Sequence, residues 1–226
     1  MPDHPPIAQT IIPTVIENTN RGERGFDIYS RLLRERIIFI DKPIDDTLAG
    51  LIIAQLLFLQ SEDADRDINM YIASGGGSIT AGFSIHDTMH HISSAVATIA
   101  MGMTGSMATF LLAAGEPGKR YALPNATIHF HPAGMQGLGG YAPDIEIHVK
   151  HLLDMQEQGN RLMAKYTGRR LEEIQRDFQR DRYFDAEGAL KYGLVDHILE
   201  PSGDGAAPGP SIYSLEKDEE KRVAES

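Results

Sequence analysis

Apolar and polar positions alternate in two rhythms along the chain. Arg36 to Ile40 (RIIFI) is a short β-branched run and predicts a strand. Leu48 to Gln60 follows with Leu48, Leu51, Ile52, Gln55, Leu56 and Leu59 at helical spacing. Ile68 to Ile72 reads as a second strand. Ser78 to Ile92 reads as a helix with Ser78 at its N-cap. Ala95 to Ala100 is a third strand, with a composition that suits burial on both faces. Met107 to Ala114 is a short apolar helix, with Gly115 placed at C′ to stop it. Tyr121 to Leu123 and Thr127 to His131 are strands. Asp144 to Tyr166 is the longest helix, Leu171 to Gln179 another, and Val195 to Leu199 a closing strand. Strand starts at 36, 68 and 95 recur at about thirty residues, the size of a βα unit. Strands interleaved with helices imply an α/β fold with a largely parallel sheet covered on both sides. No sequence repeat points to a solenoid.

Composition divides the chain into three parts. Residues 1–10 carry Pro2, Pro5 and Pro6 and read as an unstructured or removable N-terminus. Residues 11–200 read as one globular domain. Residues 201–226 begin Pro201-Ser202-Gly203-Asp204-Gly205 and end in mixed charges; so little apolar content cannot offset ordering entropy, and an acidic, disordered tail is expected. The 226 residues hold 21 Lys plus Arg against 32 Asp plus Glu, a net charge of −11, which argues against nucleic acid or an anionic membrane as partner. With no cysteine, disulfides, thiolate catalysis and Cys-ligated zinc are excluded, and a reducing, cytoplasmic setting is expected. Met1 to Gln9 lacks the apolar stretch of a signal peptide. Thr88 to Gly115 has no charged residue and is long enough for a membrane span. Ser93, Ser94, Thr98, Gly102, Thr104, Gly105, Ser106 and Thr109 interrupt it, so a buried strand–turn–helix is the expectation.

Four clusters could carry chemistry. Ser74-Gly75-Gly76-Gly77-Ser78 joins a strand to a helix, so its N–H groups can converge on an anion. It matches no nucleotide-binding pattern, and an ordinary tight turn remains open. Gly102-Met103-Thr104-Gly105-Ser106-Met107 puts a hydroxyl at a helix N-terminus, the logic of a nucleophile elbow; a plain serine cap is the alternative. His129-Phe130-His131 places two imidazoles on one strand face, a pair that could hold a metal although no third ligand is evident. The Gly-rich run 134–140 behind it suggests a flexible segment beside a site. Arg180-Asp181-Arg182-Tyr183 sets Asp181 between two cations at a helix end; a solvated charge cluster is the alternative.

Together these pieces resemble the Clp protease proteolytic subunit family (ClpP, serine peptidase family S14). The likeness runs through Ile12-Pro13 with Val15-Ile16-Glu17, Arg21-Gly22-Glu23-Arg24 and Phe26-Asp27-Ile28-Tyr29-Ser30-Arg31-Leu32-Leu33. It continues in Ile79-Thr80-Ala81-Gly82, Gly118-Lys119-Arg120-Tyr121-Ala122-Leu123-Pro124-Asn125 and Asp144-Ile145-Glu146-Ile147-His148. Arg180-Asp181-Arg182 and Tyr192-Gly193-Leu194-Val195-Asp196 complete it.

The resemblance implies a crotonase-like spiral of ββα units with a protruding handle helix and strand. It implies a serine endopeptidase with Ser106 as nucleophile, His131 as general base and Asp181 as orienting carboxylate. Gly77 and Met107 match the oxyanion hole. Ser78 and Ile79 on one side, and Pro132, Ala133 and Gly134 on the other, match the backbone that pairs with an extended substrate. Leu57, Tyr71 and Tyr121 match a groove where partner loops dock, with core packing as the alternative. Arg182 matches a residue pairing with a carboxylate across the joint between rings. The implied assembly is a homo-oligomer of two stacked rings of seven. It is fed unfolded protein by an AAA+ unfoldase of the ClpX, ClpA or ClpC type, which consumes the ATP; no cofactor or metal is implied for this chain. Residues 1–10 resemble a propeptide. The sequence departs from the family where Ser-Pro-Gly-Gly reads Ser74-Gly75-Gly76-Gly77, where Ala-Ala before the serine reads Thr104-Gly105, and where His-Gln-Pro reads His131-Pro132-Ala133. The stretch from there to Asp144 is one residue longer. Two other readings stand beside this one: a crotonase-type acyl-CoA enzyme, and a ring subunit without catalysis.

Overall fold

The computed structural model describes residues 12–19, 22–134 and 139–199. The expectations for 1–10 and 201–226 lie outside the described residues. In chain order the elements begin with β1 (Thr14–Thr19), β2 (Gly22–Asp27), α1 (Ile28–Arg34), β3 (Ile37–Ile40) and α2 (Asp46–Glu62). Next come β4 (Ile68–Ile72), α3 (Ile79–His91), β5 (Val96–Ala100), β6 (Met103–Gly105) and α4 (Met107–Ala113). β7 (Arg120–Ala122), β8 (Thr127–Phe130), α5 (Ala142–Thr167), α6 (Leu171–Asp177), β9 (Arg182–Phe184), α7 (Ala186–Tyr192) and β10 (His197–Ile198) complete the order. The chain is a mixed α/β protein. Its main sheet is parallel, in the order β10-β7-β5-β4-β3, and a smaller sheet runs β6-β8-β9, with β8 and β9 antiparallel.

The strand and helix rhythms give these elements for identifiable reasons. The Asp45 carboxylate accepts from Leu48 N at 2.8 Å and starts α2, which turns Leu48, Ala49, Ile52, Leu56 and Leu59 inward. Leu51, expected on the inner stripe, instead faces solvent, 55% exposed, along with Leu57 and Phe58. The helical spacing holds, but it fills a narrower arc than the full apolar set. Ser78 caps α3, its hydroxyl accepting from Ala81 N at 3.3 Å. Gly115 follows the C-cap of α4 for packing rather than for backbone freedom: a Cβ there would press on the Thr98 side chain.

The sheet departs from two-sided burial. All five residues of β5 are buried, yet in β4 Ile68, Met70 and Ile72 are buried while Asn69 and Tyr71 are only half so. Tyr29 meets Phe39 edge-on at 5.9 Å, and Phe39 stacks on Tyr71 at 5.6 Å on that outer face. The core lies on the other face, where α2, α3 and α4 pack Ile52, Leu56, Ile85, Leu111 and Leu112 against the strands. Each such side chain contributes about 1.5–3 kcal/mol on burial. The uncharged stretch from Thr88 forms the end of α3, β5, β6 and α4. Among the described residues, no helix is long and apolar enough to cross a membrane.

One buried cation ties the helix ends to the sheet. Arg120 donates to Ala113 O, Tyr166 O and Gly193 O, at 3.3, 2.9 and 3.1 Å, and pairs with Asp196. Burial alone would raise the Asp196 carboxyl, but hydrogen bonds and charge from Arg120 outweigh it and hold that group below the usual carboxylate range.

Candidate active site

Ser106 sits where β6 ends and α4 begins. Its backbone has φ 53° and ψ −121°, a conformation that L side chains rarely adopt. Such a residue costs on the order of 1–3 kcal/mol, which the surroundings must supply. They do so through Ser106 N, which donates to His129 O at 2.8 Å, and through α4, all seven residues of which are buried. The result is that the Ser106 hydroxyl makes no capping bond and has no hydrogen-bond partner among the described residues. The plain-cap alternative fails for that reason.

The Gly-rich turn is pressed against this elbow. Gly105 N donates to Ser74 O at 2.8 Å, and Ser74 Oγ both donates to Lys42 O and accepts from Gly76 N. Gly76 has φ 95°, and a Cβ there would stand 2.6 Å from Gly105 O and 2.8 Å from Met107 N. Gly77, with φ 157°, lies against the Ile44 backbone. Only glycine lets these chains approach so closely. The N–H groups of Gly77 and Met107 have no partner among the described residues, so two donors stand free beside the serine.

Ser106 and His131 line one cavity of about 230 Å³. Ile79, Met107, Pro132 and Ala133 also line it, and Phe83, Phe110, Phe130 and Phe178 make its walls apolar. Ala133 N donates to Gln156 Oε1 at 2.8 Å, which fastens the segment after β8 to α5. Ser78 lies at the head of α3 next to Ile79. Gly134 is exposed at the start of the Gly-rich run, of which residues 135–138 lie outside the described residues.

His131 Nδ1 is 2.7 Å from Pro132 O. A carbonyl can only accept, so Nδ1 donates to it. Asp181 does not end a helix as expected: α6 stops at Asp177, and Asp181 lies just before β9. Its Oδ1 accepts from His129 Nε2 at 3.0 Å, and the His129 ring stacks on Tyr183 at 4.2 Å. The imidazoles of His129 in β8 and of His131 just after it lie together, with ring centres 5.3 Å apart. Ser106 and His131 are therefore brought together, whereas Asp181 is placed on the neighbouring histidine. That neighbour carried a signal in the sequence, the His-Phe-His alternation, but nothing marked it as the partner of Asp181.

A family model described as Clp protease matches residues 20–202. The chain belongs to the Clp protease family. Membership implies a peptidase subunit. In this Clp protease chain, Tyr71 and Tyr121 lie on the same half-covered outer face of the main sheet, in register through Ile99, while Leu57 projects from α2, 48% exposed. Arg182 pairs within the chain with Asp177 Oδ2 at 2.7 Å and lies over the Phe184 and Tyr192 rings. Burial would raise the Asp177 carboxyl, but bonds from Arg176, Tyr192 and Arg182 outweigh it and hold it low.

Proposed function

We propose that this chain is the serine endopeptidase core of an ATP-dependent Clp protease, cutting unfolded polypeptides and short peptides. The observation that carries the reading is the uncapped Ser106 hydroxyl on a strained backbone, lining one cavity together with His131, with two free N–H groups beside it. Ser106 Oγ attacks the scissile carbonyl while His131 Nε2 takes its proton; the imidazolium then protonates the leaving amine. The step uses the neutral ring with its proton on Nδ1, and Pro132 O accepts from that nitrogen. The N–H groups of Gly77 and Met107 take the developing oxyanion, and each such donor is worth about 3 kcal/mol in the transition state. Asp181 stabilises the imidazolium once it replaces Pro132 O at His131 Nδ1. Backbone of Ser78 and Ile79, and of Pro132, Ala133 and Gly134, pairs with an extended substrate, which accounts for broad sequence tolerance.

The proposal extends to the assembly that the family resemblance implies. The crotonase-like spiral carries α5 as a handle, two rings of seven enclose the sites, and an AAA+ unfoldase docks on the outer sheet face near Leu57, Tyr71 and Tyr121. Arg182 contributes at the joint between rings, and the setting is the cytoplasm. Ser106→Ala is the test. Short-peptide cleavage should vanish while assembly by size-exclusion chromatography is kept. Retained turnover would remove Ser106 from the reaction. The crotonase-type reading has no need of a hydroxyl paired with an imidazole.

A further inference from the structure

The serine-peptidase reading needs one carboxylate at one imidazole, and the structure offers that carboxylate two. Asp181 Oδ1 accepts from His129 Nε2 at 3.0 Å, while His131 Nδ1 is bound to Pro132 O at 2.7 Å. Each imidazole thus has a partner, and the base has the weaker one, a neutral carbonyl in place of an anion. His129 is well held: its side chain is only 16% exposed, and Tyr183 stacks on it at 4.2 Å. Gly105 leaves its ring room, since even a Cβ there would stand 3.4 Å from His129 Nδ1. Asp181 is the loose member, 69% exposed on the turn before β9. With the two rings 5.3 Å apart, an exposed side chain can turn from one to the other.

We propose that His129 is a positioning residue that competes with His131 for Asp181 and so sets the fraction of sites ready to react. The proposal rests on the triad assignment above. His129 touches neither substrate nor the reacting atoms in this role. It acts by occupying the carboxylate, and whatever draws Asp181 to His131 must overcome that bond. Because two bonds of the same kind compete, removing one shifts the population without altering the substrate cavity.

The test is His129→Met in the assembled full-length protein, with short-peptide kinetics and the rate of fluorophosphonate labelling at Ser106. The expected result is a rise in kcat and labelling rate on the order of three- to tenfold, with KM unchanged. His129→Gln, which keeps an N–H donor for Asp181, should stay nearer the wild type than His129→Met. A kcat for His129→Met within twofold of wild type, or lower, in an intact assembly overturns the proposal. If that variant fails to assemble, a structure of the wild-type acylated complex decides. Asp181 on His131 Nδ1 there supports the competition, and Asp181 still on His129 refutes it. A wild-type assembly that never labels at Ser106 would instead sink the serine-peptidase reading itself, so the two failures are distinguishable.

Discussion

Gly76→Ala tests the contact between the glycine turn and the serine elbow. The new Cβ would lie 2.6 Å from Gly105 O and 2.8 Å from Met107 N. Both atoms are backbone, so neither can step aside as a flexible side chain would. At φ 95° the alanine is also strained, by on the order of 1–3 kcal/mol. Relief comes by moving the turn and the elbow apart, which shifts Gly77 N and Met107 N relative to each other. Oxyanion donors act only within about 2.7–3.1 Å of the charge, and losing one costs about 3 kcal/mol. That is roughly a hundredfold in kcat. Gly75→Ala is the control: its Cβ would meet no atom within 4 Å, and its φ is outside the left-handed region. The assay is kcat and KM on a short fluorogenic peptide, with assembly checked by size-exclusion chromatography. The expectation is a drop of about a hundredfold in kcat for Gly76→Ala and less than about twofold for Gly75→Ala. A Gly76→Ala assembly with kcat within threefold of wild type would refute the reasoning.

Three further outcomes are expected. Asp196→Ala strips the buried Arg120 of its anion and leaves the N–H groups of Gly118 and Arg120 unpaired; the loss should be about 3–5 kcal/mol, read by denaturant titration. His86 is held neutral by burial, which pushes its pKa below the ordinary value, and its Nε2 lies 2.5 Å from the hydroxyl of Tyr166, itself raised to about 12. Its unfolded form therefore takes up the proton first. Stability should fall as pH drops below about 6.5, and His86→Gln should flatten that slope in thermal melts at pH 7.5 and 5. Asp181→Asn should lower kcat on the order of a thousandfold while leaving the melting midpoint nearly unchanged; full activity would give Asp181 another role.

The strand and helix rhythm predicted β3, α2, β4, α3, β5 and α4 to within two residues, because their apolar positions are set by burial against one sheet. It gave no element for β1, β2, α1 or α7, and it missed β6 and β9, each three residues long, where pairing rests on backbone bonds rather than on side-chain pattern. It also placed Asp181 at the end of a helix that stops four residues earlier. The expected two-sided cover of the sheet does not hold at its outer face, where Phe39, Tyr71 and Tyr121 are only half-buried, so core packing, the alternative for Tyr71 and Tyr121, is not what these residues do within the chain. At the site, Ser106 was readable as an elbow from the two glycines before it and the helix after it. That the hydroxyl stays uncapped depends on its φ of 53°, which no residue pattern encodes. The pairing of Asp181 with His129 rather than His131 was equally hidden, since both histidines share a face and only the turn before β9 decides between them.

The account turns on whether the Ser106 hydroxyl is a nucleophile. A fluorophosphonate reacted with the assembled wild-type protein, followed by peptide mapping in a mass spectrometer, measures that directly. The account predicts one phosphonyl adduct, on Ser106, with peptide cleavage lost in step with its formation. Cleavage that persists while Ser106 stays unmodified, or an adduct at another hydroxyl that alone stops turnover, would contradict it.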